Sequence, residues 1–354
     1  MASESLVAET ARRMFADLCD PQALNRAADD AWMTPAGSAL EQAGLPLAWV
    51  PEVLGGAGAG LADGFAVLRE AGRAAVPLPV AETLLAGWLL AQAGIASPSG
   101  AMSCGPTRDG DKVALAGNGT LRGRLRAVPL ARSAAHLAVL AEREAGGSAV
   151  ALVATGAAHV SEGTSLAGDA LNAVRFDGVR PMAVQDAPPW LDAEALMLMG
   201  AAARAMQMAG ALEAILDLAV AYANERVAFG RPIAKFQAVQ HNLARLAGDA
   251  AAAIAAAGSA ADAIATATRF DEGVFLEAAS AKIRVGEAAG EGAAIAHQVL
   301  GAIGFTREHV LHRFTRRLWA WRDDFGSESV WAVKLGRLVA AKGADALWPM
   351  LAAR

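Results

Sequence analysis

Apolar residues recur at three- and four-residue spacing over both ends of the chain, and in short continuous runs over its middle. The stretches LVAETARRMFADLC and GFAVLREAGRAA each place their large apolar side chains on one helical face, which predicts two helices in the first 95 residues. LPLAWVPEVLGGAGAGLADG, between them, is punctuated by Pro and Gly and reads as a tight interhelical connection. Its glycines at 55, 56, 58 and 60 miss the G-x-G-x-x-G spacing and follow no strand, so they do not form a dinucleotide-binding turn.

From about 96 to 185 the texture changes to short apolar runs bounded by Gly, Asn, Asp and Pro: DKVALAGNGTLRGRLRAVPLA, HLAVLAER, GGSAVALVAT and NAVRFDGVRPMAV. This predicts an antiparallel sheet or small barrel with closely spaced turns. Pro181, Pro188 and Pro189 mark its end. Beyond residue 190 helical periodicity returns. Val239, Leu243, Leu246, Ala250 and Ile254 form one stripe, and several such helices with short connections predict a bundle. The expected units are therefore 1–95 (helical), 96–185 (β) and 186–354 (helical bundle).

Composition modifies this picture only slightly. The chain has 354 residues, and the 55% hydrophobic share is inflated by alanine, which favours packed helices over a membrane protein. Two apolar stretches need testing as spans. Residues 195–211 are interrupted by Arg204 and Gln207, and residues 250–268 are mostly alanine with Asp262, so both are expected as buried helices. The net charge of −5 without like-charge runs argues against nucleic acid as a partner. The N-terminal segment has no continuous apolar core of a secretory signal. Cys19 and Cys104 are too few for a disulfide framework or thiolate metal site. A soluble protein of the reducing cytoplasm is expected.

Two segments carry candidate chemistry. In YANERVAFGRPIAKFQAVQHNLARL one helix ends near Arg226, and a Phe229–Gly230–Arg231–Pro232 connection leads to Phe236 and Gln237 at the start of the next. An arginine beside such a turn offers a planar donor fork suited to phosphate, or else pairs with a surface carboxylate such as Glu225. In AAIAHQVLGAIGFTREH, Gln298 precedes a turn of small residues that lets another molecule approach the backbone, or that simply caps a helix with glycine. His309 and His312 stand at i, i+3 but have no third ligand organised with them, so no metal site is expected.

Taken together, ERVAFGRPIAKFQAVQHNLA and HQVLGAIGFT resemble the paired signatures of the acyl-CoA dehydrogenase family, and AWVPEVLGGAGAGLADGFAVLREAGRA resembles its helical lead-in. The resemblance implies an N-terminal helical domain, a middle β-barrel and a C-terminal four-helix bundle that tetramerises. It also implies FAD, an acyl-CoA substrate and α,β-dehydrogenation. In such proteins the Arg, Phe-Gln and glycine-turn residues of one subunit hold the FAD bound mainly by its neighbour. Here those positions are Arg226, Phe229, Phe236, Gln237, Gln298, Val299, Leu300, Gly301 and Ala302, with Ser327 added from the Gly-Thr/Ser pair that follows the family's catalytic Glu.

The same resemblance locates a departure. The family's base is a Glu before the Gly-Thr/Ser pair, where this chain has Phe325, or a Glu on the helix leading to the Arg, where it has Gly200. The family's Thr-Glu-x-x-x-Gly-Ser-Asp motif has no counterpart between 96 and 185. Asp324 is the nearest substitute base, reached by a one-residue slip, although Asp323 and Asp324 are more simply read as surface partners of Arg316, Arg317 or Arg322. This pattern resembles the shorter subunit of heterotetrameric acyl-CoA dehydrogenases of the steroid side-chain type. Two readings follow: a self-sufficient flavoenzyme in a homo-oligomer, or a cofactor-completing subunit whose partner supplies the Glu. A flavin monooxygenase on the same fold is a third.

Overall fold

The computed structural model describes residues 5–27 and 29–352. Five helices come first: α1 (Leu6–Leu18), α2 (Pro21–Arg26), α3 (Met33–Gln42), α4 (Leu61–Arg73) and α5 (Val80–Gln92). Ser5 and Asp20 cap the first two by accepting from the backbone N–H groups of Ala8 and Ala23. α5 is buried almost all round, because it is wedged between the other helices and the sheet that follows.

The middle segment forms strands β1 (Met102–Gly105), β2 (Lys112–Leu115), β3 (Leu121–Pro129), β4 (His136–Arg143), β5 (Ser148–Ala154), β6 (His159–Val160), β7 (Leu171–Val179) and β8 (Ala183–Asp186). They share one curled sheet in the order β6-β7-β3-β2-β4-β5-β8, with β1 joined to β4. Two expectations are corrected here. The sheet is mixed, since β1 and β2 both run parallel to β4. It is also an open half-barrel, because among the described residues the end strands β6 and β8 do not pair with each other. The physical reason lies in what covers the strands. Leu137, Val139, Ala149, Ala151 and Val153 fill the hollow of the curl, whereas Ala138, Leu140, Val150 and Leu152 on the opposite face join the core shared with the helices. A strand pair apolar on both faces is buried by that helical layer, so closure is not needed to exclude water.

The remaining helices are α6 (Ala193–Glu225), α7 (Gln237–Thr266), α8 (Glu272–Leu300), α9 (Leu311–Asp323), α10 (Glu328–Lys342) and α11 (Ala344–Ala352). The two-residue strands β9 (Val227–Ala228) and β10 (Arg231–Pro232) pair between α6 and α7. α6, α7 and α8 pack against one another, with α9 on α6 and α8, and α10 on α8. α6 is long and apolar enough to cross a membrane, but its apolar window lies entirely inside the protein. The stripe read from the sequence of α7 faces inward: Leu246 and Ala250 are buried, and Val239, Leu243 and Ile254 pack against the core.

Small residues set the helix spacing. A Cβ on Gly72 of α4 would stand 1.9 Å from the carbonyl oxygen of Gln207, and one on Gly210 of α6 would stand 2.0 Å from that of Arg69. The backbones touch, and the crossing is flanked by the Arg69–Glu213 (2.6 Å) and Arg73–Asp217 (3.2 Å) ion pairs. Gly210→Ala is therefore expected to cost about 1–3 kcal/mol in chemical denaturation by forcing α4 from α6. Gly248→Ala, on an exposed face of α7 with open space at the Cβ position, is expected to gain about 0.5–1 kcal/mol from helix propensity alone.

Candidate functional site

The first segment singled out in the sequence forms a hairpin. Arg226 closes α6 as its C-cap, its N–H donating to the Tyr222 carbonyl and its own carbonyl accepting from Ile233 N–H (2.8 Å each). Phe229 (φ +52°) and Gly230 (φ +77°) both take left-handed backbone angles at the two-residue turn between β9 and β10. Only a two-residue hairpin turn of this kind requires that pair, and glycine at the second position makes it accessible. The turn holds the Phe229 ring out into solvent at 96% exposure, edge-on to Phe236 at 6.1 Å between centroids. Arg231 lies 4.3 Å over the Phe236 ring, and Gln237 opens α7 with an exposed side chain. Among the described residues Arg226 forms no ion pair, so the surface-carboxylate alternative is not the arrangement seen.

The second segment ends α8. Gln298 is exposed, whereas Val299 and Leu300 turn inward and are buried. Gly301 caps the helix at φ +63°, and it and Ala302 are exposed, with open space beside Gly301. Phe305 is 74% exposed and stacks on His297 at 4.5 Å; His297 stacks in turn on Trp319 and shares a hydrogen bond with Thr315 (3.0 Å). Burial lowers the pKa of His297, which favours a neutral ring for these contacts. α6 and α8 each run antiparallel to α7, so their C-termini lie at one end of the helical layer. Tyr222, one turn before Arg226, meets His309 edge-on at 6.5 Å and ties the segments together. The result is an exposed edge with one uncommitted guanidinium, two outward phenyl rings, an amide and open backbone.

The two positions expected for a base also meet, and together they are closed. A Cβ on Gly200 would stand 2.1 Å from Cδ1 of Phe325, so the phenyl ring occupies the space above the glycine. Phe325 is 1% exposed and sits at φ +53°, its carbonyl accepting from Trp331 Nε1 (2.9 Å). Lys282 locks the turn from beneath, donating to the carbonyls of Arg322 and Gly326 at 2.6 Å each. Ser327, half-buried, follows the turn and shares a hydrogen bond with Ser329 (2.9 Å).

Asp324 is not on a surface turn and does not pair with Arg316, Arg317 or Arg322. It is 6% exposed, accepts from Arg204 Nε at 3.1 Å and faces Arg108 at 3.6 Å. Arg204 also donates to Glu82, and to Gln207 at 2.5 Å. Burial works against the charge on Arg204, but Glu82 and Asp324 outweigh it and hold its pKa above the ordinary guanidinium range. A carboxylate whose two oxygens face two guanidiniums is committed to charge balance rather than to taking a proton from carbon. Arg108 further donates to the Asp323 carbonyl, while the Asp323 side chain is exposed.

Arg204, Glu82, Lys282 and Arg108 went unassigned in the sequence reading. For Arg204 the signal was present: a charge and Gln207 inside an otherwise apolar run. The thiols offer no alternative nucleophile, since burial pushes both Cys19 and Cys104 up to about 12. His309 and His312 are occupied locally, His309 Nδ1 accepting from Leu311 N–H and His312 Nδ1 lying 2.8 Å from the His309 carbonyl. Among the described residues no three His, Cys, Asp or Glu side chains are placed to hold a metal ion.

Lys282 gives this core a pH signature. Burial lowers its pKa from 10.5 to about 7, opposed chiefly by Asp324 and Glu328. Between those values the unfolded chain binds a proton at Lys282 that the folded chain does not, so this group's contribution to stability rises with pH from about 7 to 10.5 and is smallest below 7. Urea denaturation at pH 7 and pH 9 is expected to show Lys282→Met losing that rise, while retaining the slope contributed by other groups.

Comparison with known proteins places the chain in a family. Residues 190–328 match the family pattern described as acyl-CoA dehydrogenase, C-terminal domain, and residues 2–97 match the corresponding N-terminal domain. The chain is 32% identical over 277 residues to acyl-CoA dehydrogenase IpdE2 of Mycobacterium tuberculosis, covering 78% of this chain and 77% of that protein. It is 32% identical over 326 residues to acyl-CoA dehydrogenase FadE34 of the same organism, covering 88% of this chain and only 43% of that longer protein. A solved structure of the ChsE4-ChsE5 complex from Mycobacterium tuberculosis shares its fold, with TM-score 0.83, 24% identity, and coverage of 97% of this chain and 99% of that one. The family patterns over both ends of the chain and the identity over 78% of it converge: this chain belongs to the acyl-CoA dehydrogenase family of FAD-dependent oxidoreductases.

Proposed function

We propose that this chain serves an acyl-CoA dehydrogenase as its base-lacking subunit, completing a FAD site held mainly by a second, unlike subunit. The observation that carries this reading is the Phe325 ring packed over Gly200, which fills with hydrocarbon the place where either family position would put a carboxylate. In the family's reaction an acyl-CoA thioester gives up its α-proton to a carboxylate and its β-hydrogen to the flavin, so FAD supplies the oxidising ring.

The residues of this chain fit the outer part of such a cofactor and not its reacting end. At the outer edge Arg226 is exposed with no ion pair among the described residues, and Phe229 and Phe305 are exposed far beyond what a folded chain needs. A guanidinium fork suits a pyrophosphate, Phe229 and Phe236 suit the flat face of an adenine, and Gln298, Gly301 and Ala302 leave the backbone approachable. Gln237, Val299 and Leu300 position these groups from the adjoining helix ends. At the inner site Arg108, Asp324 and Arg204 occupy the space with an ion-pair network instead, and Ser327 lies beside it. The partner's Glu then acts on an acyl-CoA bound at the shared site. Residues 1–95, 96–185 and 186–354 act as three units, the last contributing a four-helix bundle to a heterotetramer. The ChsE4-ChsE5 structure, a complex of two differently named components of which one chain shares this fold, supports the pairing in kind. Two buried free thiols suit a cytoplasmic setting.

The test is purification alone and with a co-expressed longer dehydrogenase subunit. The lone chain is expected to be colourless and without turnover, and the pair to carry flavin and oxidise acyl-CoA. Arg226→Ala within the pair is expected to weaken FAD retention about tenfold, from loss of a charge-assisted contact. Flavin bound and acyl-CoA oxidised by the lone chain would instead establish the self-sufficient enzyme.

A further inference from the structure

Away from the flavin edge, two cavities meet beneath the N-terminal helices. The larger, about 520 Å³, lies between α3, the segment leading into α5, and the sheet at Leu130 and Ala170. Its walls include Met33, Leu40, Leu47, Leu78, Val80 and Leu130, with hydroxyl and carboxylate groups at intervals. Among the described residues no Lys, Arg or His lines it. The second, about 440 Å³, is bordered by His312, Arg313, Arg316 and Arg317 of α9. Asp30, Met33, Pro77, Gly168 and Asp169 line both, so the apolar chamber adjoins a polar vestibule walled by Arg313, Arg316 and Arg317 and by Asp29, Asp30 and Asp169.

The charges in the vestibule are unequally committed. Arg317, 5% exposed, gives Nη2 to Asp169 at 2.7 Å and Nη1 to the Arg313 carbonyl, and its Nε has no partner. Arg316 donates Nε only to the Leu166 carbonyl, and neither Arg316 nor Arg313 has an ion pair among the described residues. Asp29 and Asp30 stand on the opposite wall, where Asp29 accepts from the Ala31 N–H. Two guanidiniums, Arg313 and Arg316, therefore border the vestibule beside the chamber with no ion pair among the described residues, although Asp29, Asp30 and Asp169 share that vestibule.

We infer that this cleft binds an amphipathic acid, its apolar body in the chamber between α3 and the sheet and its carboxylate on Arg313 and Arg316. A neutral apolar molecule would leave both guanidiniums unused, and a small polar anion would leave the chamber unfilled; only a molecule with both parts matches both ends. None of these residues belongs to the FAD edge or the Phe325 turn, so the inference stands or falls independently of the subunit reading.

Isothermal titration of the full chain with decanoate and with decanol tests it. Decanoate is expected to saturate a single site and to bind at least about tenfold more tightly than the alcohol of equal length. Arg313→Ala/Arg316→Ala should bring decanoate down to the alcohol's affinity and leave the alcohol unchanged. Arg316→Ala alone, at an exposed position, should produce an intermediate loss. Gly37 lines the chamber with open space at its Cβ position, so Gly37→Leu should weaken both probes without straining α3. Equal binding of acid and alcohol, absence of saturable heat, or decanoate binding unmoved by both the arginine and the Gly37 variants would each overturn the inference.

Discussion

Arg204 organises the interior of this protein. It is a fully buried cation whose neutralising carboxylates come from two distant places, Glu82 on α5 and Asp324 after α9. An unpaired charge in such a setting costs several kcal/mol, so the folded state is reached only when α5, α6 and the turn after α9 converge. Lys282 adds a fourth element by holding the carbonyls at each end of that turn. The turn so fixed carries Phe325, and its placement over Gly200 follows from the ion pairs on either side. The Phe325 ring over Gly200 and the polar network present in the core are therefore one structural fact.

That convergence depends on how closely the helices pack. Gly72 and Gly210 bring α4 into backbone contact with α6, and the alanine-lined face of α7 lies against both α6 and α8. Small residues gain little hydrophobic energy each, but they leave no lever arm by which a helix can shift. The bundle is thus a rigid frame in which the position of Arg204 is determined by its neighbours. Large side chains appear where the frame ends: Phe229 and Phe305 project at the helix C-termini, beyond the packed layer.

Much of this was legible in the sequence. Periodicity located α1, α4, α7 and the end of α8, and the Gly230 and Pro232 punctuation located the hairpin after Arg226, because these are local properties of the chain. The closed barrel and the purely antiparallel sheet were wrong because β1 and β4 are brought side by side by long-range packing on α5, which no short run of residues records. Asp324 was misplaced for the same reason. Its neighbours in sequence, Arg316, Arg317 and Arg322, suggested surface pairing, whereas its partner Arg204 is 120 residues away. Arg204 itself was noticed only as an interruption of an apolar run, yet a lone cation in such a run already requires a buried counter-charge.

The inner and outer halves of the site obey different physics, which explains how one can be filled while the other stays open. The outer edge is built from helix caps and a two-residue turn, so its shape depends on Arg226, Gly230 and Gly301 and their immediate neighbours. The inner site depends on charge balance across α5, α6, α8 and the Phe325 turn at once. A phenylalanine at position 325 supplies packing there without a buried charge, and a core of this density accommodates its ring opposite a glycine. Gly200 and Phe325 are therefore matched positions: either alone would leave a void or a clash, and together they seal the interior while leaving the exposed edge at Phe229 and Phe305 untouched.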